Sequence, residues 1–326
     1  MEVITGCYSY PAVLPSSQWI AALGNQSMAI SLYFCDHFQI PLSKGHKFPI
    51  AKYVMVRSQL QLVNKFELHP ASPASPEQLM LAHDANYVNS ILDGSVDPRM
   101  MRRIGFPWSP ELVRRSLASV GGTLAAARAA LVQGVGGNLA GGTHHAFRAE
   151  GAGFCVFNDL AVAIHTLRSE GVVRRVAVLD LDVHQGDGTA SIFAGDPDVL
   201  TVSIHGQNNF PFRKQVSRID IGLPDGAGDE PYLEVLERVL PAVWDYSPEV
   251  IFYQSGVDAL AEDRLGRLAM THAGLQLRDR MVFEGAQRRR IPVAITLGGG
   301  YGEPIEATVK AHVNTFQLAA SLWVTG

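Results

Sequence analysis

The chain has 326 residues, 47% hydrophobic and 18% charged, with a net charge of −4. These values describe a globular protein with a sizeable core and exclude the long-range pull toward nucleic acid that a basic protein exerts. No apolar stretch is long and unbroken enough to span a bilayer. Three cysteines (Cys7, Cys35 and Cys155) are too few for a disulfide framework and suit a reducing, cytoplasmic compartment.

Residues 1–27 differ from the rest. They contain no Lys or Arg, so they lack the positive region of a secretory signal, and Pro11, Pro15 and Ser16-Ser17 argue against a long helix. Two readings stay open: a mis-set start preceding Met28, or a tail packed on the body. Residues 28–326 carry no linker and read as one domain.

Residues 29–34 predict a first strand, followed by Asp36-His37, a loop through Gly45-His46-Lys47-Phe48-Pro49, and a helix marked by Tyr53, Val56 and Leu60. Ser75-Pro76-Glu77 and Ser109-Pro110-Glu111 are helix starts, with proline at the first position and an acid in the first turn. The second opens an alanine-rich helix to about Val132. Residues 138–145 predict a strand end running into a turn, where Gly141-Gly142 permits the bend that adjacent His144 and His145 need to reach one site. Asn158-Asp159 precedes a helix that stops at Gly171.

The run Val176-Ala-Val-Leu-Asp180 predicts a strand buried on both faces, and its alternation predicts that Asp180, Asp182 and His184 project the same way. Then come a short helix from Gly188, a strand at 199–205, and a long polar loop at 206–228 that holds Phe210-Pro211-Phe212. Leu233, Leu236, Leu240 and Val243 mark an amphipathic helix. A strand at 250–256 leading to Asp258, a helix at 275–287, a strand at 292–297 ending in Gly298-Gly299-Gly300-Tyr301, and a last helix at 303–322 complete the chain. This alternation predicts an α/β fold: a single-domain open, mostly parallel β-sheet flanked by helices on both faces. Ligands in such sheets sit at the carboxyl ends of the strands, where His144, His145, Asp182, His184, Asp258 and Tyr301 fall.

Two carboxylates and an imidazole at the end of a buried strand are costly without a positive partner. Asp182, His184 and Asp258 form a set of three oxygen and nitrogen donors that suits catalytic Zn²⁺, with Fe²⁺ or Co²⁺ also fitting. His144 and His145 are placed for proton transfer. Asp180 and Asp187 can each accept the N–H of one histidine and fix its tautomer. Tyr301 can donate its hydroxyl to the oxyanion that forms as water adds to a carbonyl.

Gly141-Gly-Thr-His-His-Ala, Gly153-Phe-Cys, Asp180-Leu-Asp-Val-His-Gln-Gly-Asp-Gly, Gly256-Val-Asp and Leu297-Gly-Gly-Gly-Tyr, in that order, resemble the zinc-dependent histone deacetylase family on the arginase/deacetylase fold. Gly45-His46-Lys47-Phe48-Pro49, Gln185 and Asp263-Arg-Leu-Gly-Arg-Leu268 are most similar to the class IV branch and its bacterial relatives. The resemblance implies that Asp182, His184 and Asp258 are the zinc ligands. His145 with Asp187 becomes the principal general base and acid, His144 with Asp180 its electrostatic partner, and Tyr301 the group that stabilises the tetrahedral intermediate. Gly153 and Phe154 become walls of a tunnel around a lysine stem, with Phe210 opposite, and a structural monovalent cation, K⁺, is implied near Asp180 and Ser203.

Residues 28–326 are then a deacetylase-like catalytic domain that removes an acetyl or longer acyl group from the lysine side chain of a protein or peptide. An acetylpolyamine or other small N-acyl amine is the alternative substrate; neither nucleic acid nor membrane is an expected partner. Acids at the tunnel mouth would favour a polyamine, and the sequence does not place Asp225, Asp229 or Glu230 relative to it. An arginase-like site with two manganese ions needs carboxylates where this chain has Gly186 and Leu260. An inactive acyl-lysine reader would have lost a ligand, a histidine or the tyrosine, and none is missing.

Overall fold

The computed structural model of the protein describes residues 29–324; the N-terminal extension read at 1–27 lies outside the described residues. Eight strands are present among them: β1 (Ile30–Phe34), β2 (Phe66–Pro70), β3 (Val135–Asn138), β4 (Val176–Asp180), β5 (Val199–Gly206), β6 (Ile219–Leu223), β7 (Val250–Gln254) and β8 (Val293–Thr296). They form one open sheet in the order β2-β1-β3-β8-β7-β4-β5-β6. Every pairing is parallel, so the sheet expected to be mostly parallel is entirely so. Parallel neighbours require crossovers, and the helices that supply them cover both faces.

The centre of the sheet is where the apolar runs are longest. Every residue of β4 and β7 is buried. Alternate residues of β4 enter opposite cores, Ala177 and Leu179 on one side and Val176 and Val178 on the other, as the two-residue period of a strand demands. The edges explain what the sequence reading lacks. Glu67, His69 and Pro70 give β2 an edge composition, and its residues are only partly buried. β6 lies inside the stretch read as a long polar loop, because Asp220 and Gly222 interrupt its apolar pattern.

The helix starts follow their caps. Ser75 forms a capping box with Gln78, and Ser109 and Asn158 accept from the backbone N–H of Leu112 and Ala161. Two short helices, Ala85–Asp93 and Pro98–Ile104, have no counterpart in the sequence reading; each ends on a glycine in the left-handed region, Gly94 and Gly105.

The C-terminal ends of β3, β8, β7 and β4 stand side by side, and one buried cation ties two of them together from below. Arg278, on the helix His272–Arg289, is 0% exposed. It donates to the carbonyls of Leu181 (3.3 Å), Gly256 (2.6 Å) and Ser255 (3.4 Å), in the turns that leave β4 and β7. Asp279, 2.8 Å away, balances its charge and accepts from the hydroxyls of Tyr253 and Thr315 at 2.5 Å each. Replacing Arg278 by Met leaves Asp279 buried without a cation, so Arg278→Met is expected to cost about 3–5 kcal/mol of unfolding free energy. Arg174, whose side chain is 79% exposed, serves as the control, and Arg174→Met should stay within about 0.5 kcal/mol. Urea denaturation of the two variants checks this.

Candidate active site

β4 ends at Asp180, yet the expected alignment holds: Leu181 and Val183 join Leu179 in the core, while Asp180, Asp182 and His184 all turn to the site. Side-chain turns take over. The N–H of Asp182 donates to Asp180 Oδ1 (3.1 Å), and the N–H of His184 donates to Asp182 Oδ1 (3.0 Å). This curl places His184 Nδ1 3.1 Å from Asp182 Oδ1 and 3.1 Å from Asp258 Oδ2. Asp258 is held by the N–H of Val183 (2.9 Å), and Asp182 Oδ2 by the N–H of Gly299 (2.7 Å). Asp182, His184 and Asp258 thus bring one donor atom each within 4.8 Å of one another, all buried; no other such trio occurs among the described residues.

The electrostatics of this trio call for a cation. Burial, with Asp182 beside it, pushes the Asp258 carboxyl up to about 7. Asp182, despite burial, is held well below the usual range by His144 and His184. His184 is drawn up to about 10, because Asp182 and Asp258 outweigh the burial that would lower it. One imidazole nitrogen and two carboxylates fit a catalytic zinc or ferrous ion. A second metal has no carboxylates: a Cβ at Gly186 would collide with the Asp180 carboxylate, and Leu260 is buried in the apolar core.

The turn after β3 delivers the adjacent histidines. Gly141 and Gly142 both adopt φ +76°, and Asp159 fixes the bend by accepting the N–H of Gly142 (2.9 Å) and of Thr143 (2.6 Å). The two imidazoles lie 4.2 Å apart and reach different carboxylates. His144 Nδ1 is 2.7 Å from Asp180 Oδ2, and His145 Nδ1 is 2.7 Å from Asp187 Oδ1. Burial and the neighbouring His144 push His145 down to about 4. For His144 burial is outweighed by Asp180 and Asp182, and it rises to about 9. The surroundings thus favour the neutral form of His145 and the protonated form of His144.

Tyr301 closes the site from the β8 end. Its N–H donates to Asp263 Oδ2 (2.5 Å) and its carbonyl accepts from Arg264 Nε (3.2 Å). Burial, with Asp182 and Asp258 nearby, raises its phenol far above the usual value, so it stays a donor. The glycine turn before it is pinned by Lys52, whose Nζ donates to the carbonyls of Gly298 (3.0 Å) and Gly300 (3.4 Å). Sequence reasoning missed Lys52. The signal was there: it lies four and eight residues before Val56 and Leu60, on the buried face of its helix.

Gly153, at φ +53°, lies against His145; a Cβ there would be 2.7 Å from His145 Cδ2 and 3.1 Å from Phe210 Cε1. The Phe154 ring stands 6.0 Å from that of Tyr301 and 5.4 Å from that of Phe106, while Phe210 meets His145 edge-on at 4.9 Å. Gln185 ties the 206–228 segment to the site, bonding both backbone groups of Gln215 (2.8 and 2.9 Å) and Asp220 Oδ1 (2.7 Å). Asp180 and Ser203 are register partners on β4 and β5, and Ser203 Oγ is 2.9 Å from His205 Nδ1. Of the three acids left unplaced by the sequence, Asp225 pairs with Arg267 (3.3 Å), Asp229 accepts from Thr271 (2.6 and 2.8 Å), and Glu230 is exposed in the first turn of the helix Asp229–Tyr246.

Residues 46–316 match the histone deacetylase domain family. The chain is 40% identical over 289 residues to an uncharacterized protein of Picosynechococcus, spanning 87% of this chain and 96% of that one. It is 32% identical to histone deacetylase 2 of Arabidopsis thaliana (83% and 74% covered) and 32% identical to a histone deacetylase-like amidohydrolase of Pseudomonas aeruginosa (84% and 77% covered). A crystal structure of a histone deacetylase homologue from Aquifex aeolicus superposes with a TM-score of 0.77 at 26% identity, covering 89% of this chain and 84% of that one. With a domain match of that extent carried on the same sheet, the chain belongs to the histone deacetylase family and is a hydrolase.

Proposed function

We propose that this protein removes an acyl group from the side-chain amine of lysine in a protein or peptide. The observation that carries the reading is the pair of buried His–Asp contacts, His144–Asp180 and His145–Asp187 at 2.7 Å each, beside the Asp182–His184–Asp258 trio. Zn²⁺ or Fe²⁺ bound to those three residues would polarise the amide carbonyl and acidify the attacking water. His145, neutral and oriented by Asp187, takes the proton of the water and returns it to the leaving amine. His144 remains protonated against Asp180 and favours the negative charge that develops in the transition state. Tyr301 donates its phenol to the oxyanion of the tetrahedral intermediate. Gly153, Phe154 and Phe210 form apolar walls for the aliphatic stem. K⁺ beside Asp180 and Ser203 belongs to the same reading, as a structural ion. Lysine is favoured over a polyamine because the relatives at 32% identity include histone deacetylase 2 of Arabidopsis thaliana.

Asp182→Ala and Asp258→Ala should each lose both bound divalent metal and turnover, with metal content per chain read by mass spectrometry. Full occupancy in either variant removes that residue from the ligand set. Asp187→Asn should keep its metal and lose roughly 10–100-fold in kcat, because the amide no longer supplies the charge that orients His145. Tyr301→Phe deletes only the donor. It should lower kcat by about 10²–10³ with KM and bound metal little changed, and a fall in substrate affinity alone would make Tyr301 a binding residue. A panel of acetyl-lysine peptides and acetylpolyamines compared by kcat/KM decides the substrate, and a preference for the polyamines overturns the lysine reading.

A further inference from the structure

The catalytic cavity does not end at the reacting centre. From Tyr301, His145 and His184 it continues inward past Gly141 to Leu112 and Arg115. Arg115 sits on the helix Pro110–Gln133 and is 6% exposed. Its guanidinium stacks 4.5 Å from the centroid of the Tyr53 ring. Nη1 donates to the carbonyls of Cys35 and Phe38, both at 3.3 Å, which is long for a charged donor. Among the described residues no carboxylate oxygen comes within the 4.0 Å of an ion pair with it. The other buried arginine among the described residues, Arg278, has Asp279 at 2.8 Å.

The acids close to Arg115 in the fold are already engaged. Asp36 holds Arg57 at 2.9 Å through both oxygens. Asp159 is taken up by Thr123, Gly142 and Thr143. Lys52 adds more positive charge beside Tyr53, with Nζ 5.2 Å from the ring centroid and hydrogen-bonded to carbonyls alone. A buried cation without an anion is costly, and a ligand that brings one relieves that cost. A plain aliphatic acyl chain reaching this end would desolvate the guanidinium further and return nothing. A carboxylate would meet it as a charge-assisted, two-pronged partner.

We propose that Arg115 forms a carboxylate-binding subsite at the inner end of the cavity, and that the acyl group removed by this enzyme itself ends in a carboxylate, as in succinyl- or glutaryl-lysine. The proposal rests on the lysine deacylase reading above. The chemistry stays hydrolytic: water adds to the amide carbon, the C–N bond breaks, the amine leaves with a proton, and the free dicarboxylic acid is the second product.

The test is calorimetric binding to full-length, metal-loaded protein in the slow Tyr301→Phe background. Peptides carry succinyl- or glutaryl-lysine, or the length-matched neutral butyryl- and pentanoyl-lysine. With Arg115 present, the acid-ended chains should bind on the order of ten- to a hundredfold more tightly than their neutral partners, as one charge-assisted contact implies. Arg115→Met should abolish that preference and leave neutral-chain affinity within about threefold. Arg115→Lys, which keeps the charge and loses the fork, should reduce it severalfold, and carries the test should the Met variant not fold. Neutral chains that bind as tightly as acid-ended ones, or a preference that survives Arg115→Met, overturn the subsite while the deacylase reading stands. Failure to bind any of the four peptides also overturns the subsite, and the deacylase reading falls with it only if an acetyl-lysine peptide in the same assay fails to bind as well.

Discussion

Buried negative charge is the constraint on which the rest of this structure depends. Asp180, Asp182, Asp187 and Asp258 are each 4% exposed or less and converge on one rim of the sheet. Taking one carboxylate out of water costs several kcal/mol even after relaxation. The surroundings answer with His144, His184, the N–H groups of Val183 and Gly299, and a place for a divalent ion. The reinforcement extends beneath the site. Arg278 fixes the carbonyls behind the turns that carry Asp182, His184 and Asp258, and Lys52 fixes those of the turn that carries Tyr301. Neither cation touches the reacting atoms, yet both hold the backbone on which the anions stand.

An all-parallel sheet makes this convergence possible. Because β3, β8, β7 and β4 are adjacent and run the same way, four chain segments far apart in sequence leave the sheet at one edge. Crowding there is resolved by glycine. A Cβ at Gly153 would press on His145, one at Gly186 on Asp180, and one at Gly299 on Asp258. The close approach that lets a few polar groups share one small volume therefore needs those positions bare.

How much of this was legible in the sequence follows from the same physics. The central strands announce themselves because both faces are buried, so their apolar runs are unbroken; the edge strands β2 and β6 carry Glu67, His69 and Asp220 and do not. The polar residues of the site were legible because they stand at the ends of those runs, where a structural role explains them poorly. Arg278 and Arg115 were not. Arg278 lies in a helix with many charged residues and Arg115 follows Arg114 directly, and only the packed structure reveals which arginine turns inward. Alternation outlasts the strand itself: past Asp180, side-chain hydrogen bonds hold Asp182 and His184 on the side that the pleat began, with Leu181 and Val183 opposite in the core.

The division between the two histidines shows how little local sequence decides. His144 and His145 are neighbours, equally buried, and each has a carboxylate 2.7 Å from Nδ1. What differs is what else surrounds each pair. His144 faces Asp180 and also Asp182, whose Oδ1 is 3.9 Å from its Nε2, so two anions draw a proton onto it. Asp187 stands at the start of the helix Asp187–Ile192, where the N–H of Gly188 donates to the same oxygen that His145 approaches (3.0 Å). That carboxylate is the one anion within ion-pair distance of His145 among the described residues, whereas His144 has two. His145 also feels the charge on His144, which pushes it further toward the neutral form. The cation thus makes its neighbour a base, and the location of the second carboxylate chooses which histidine is which.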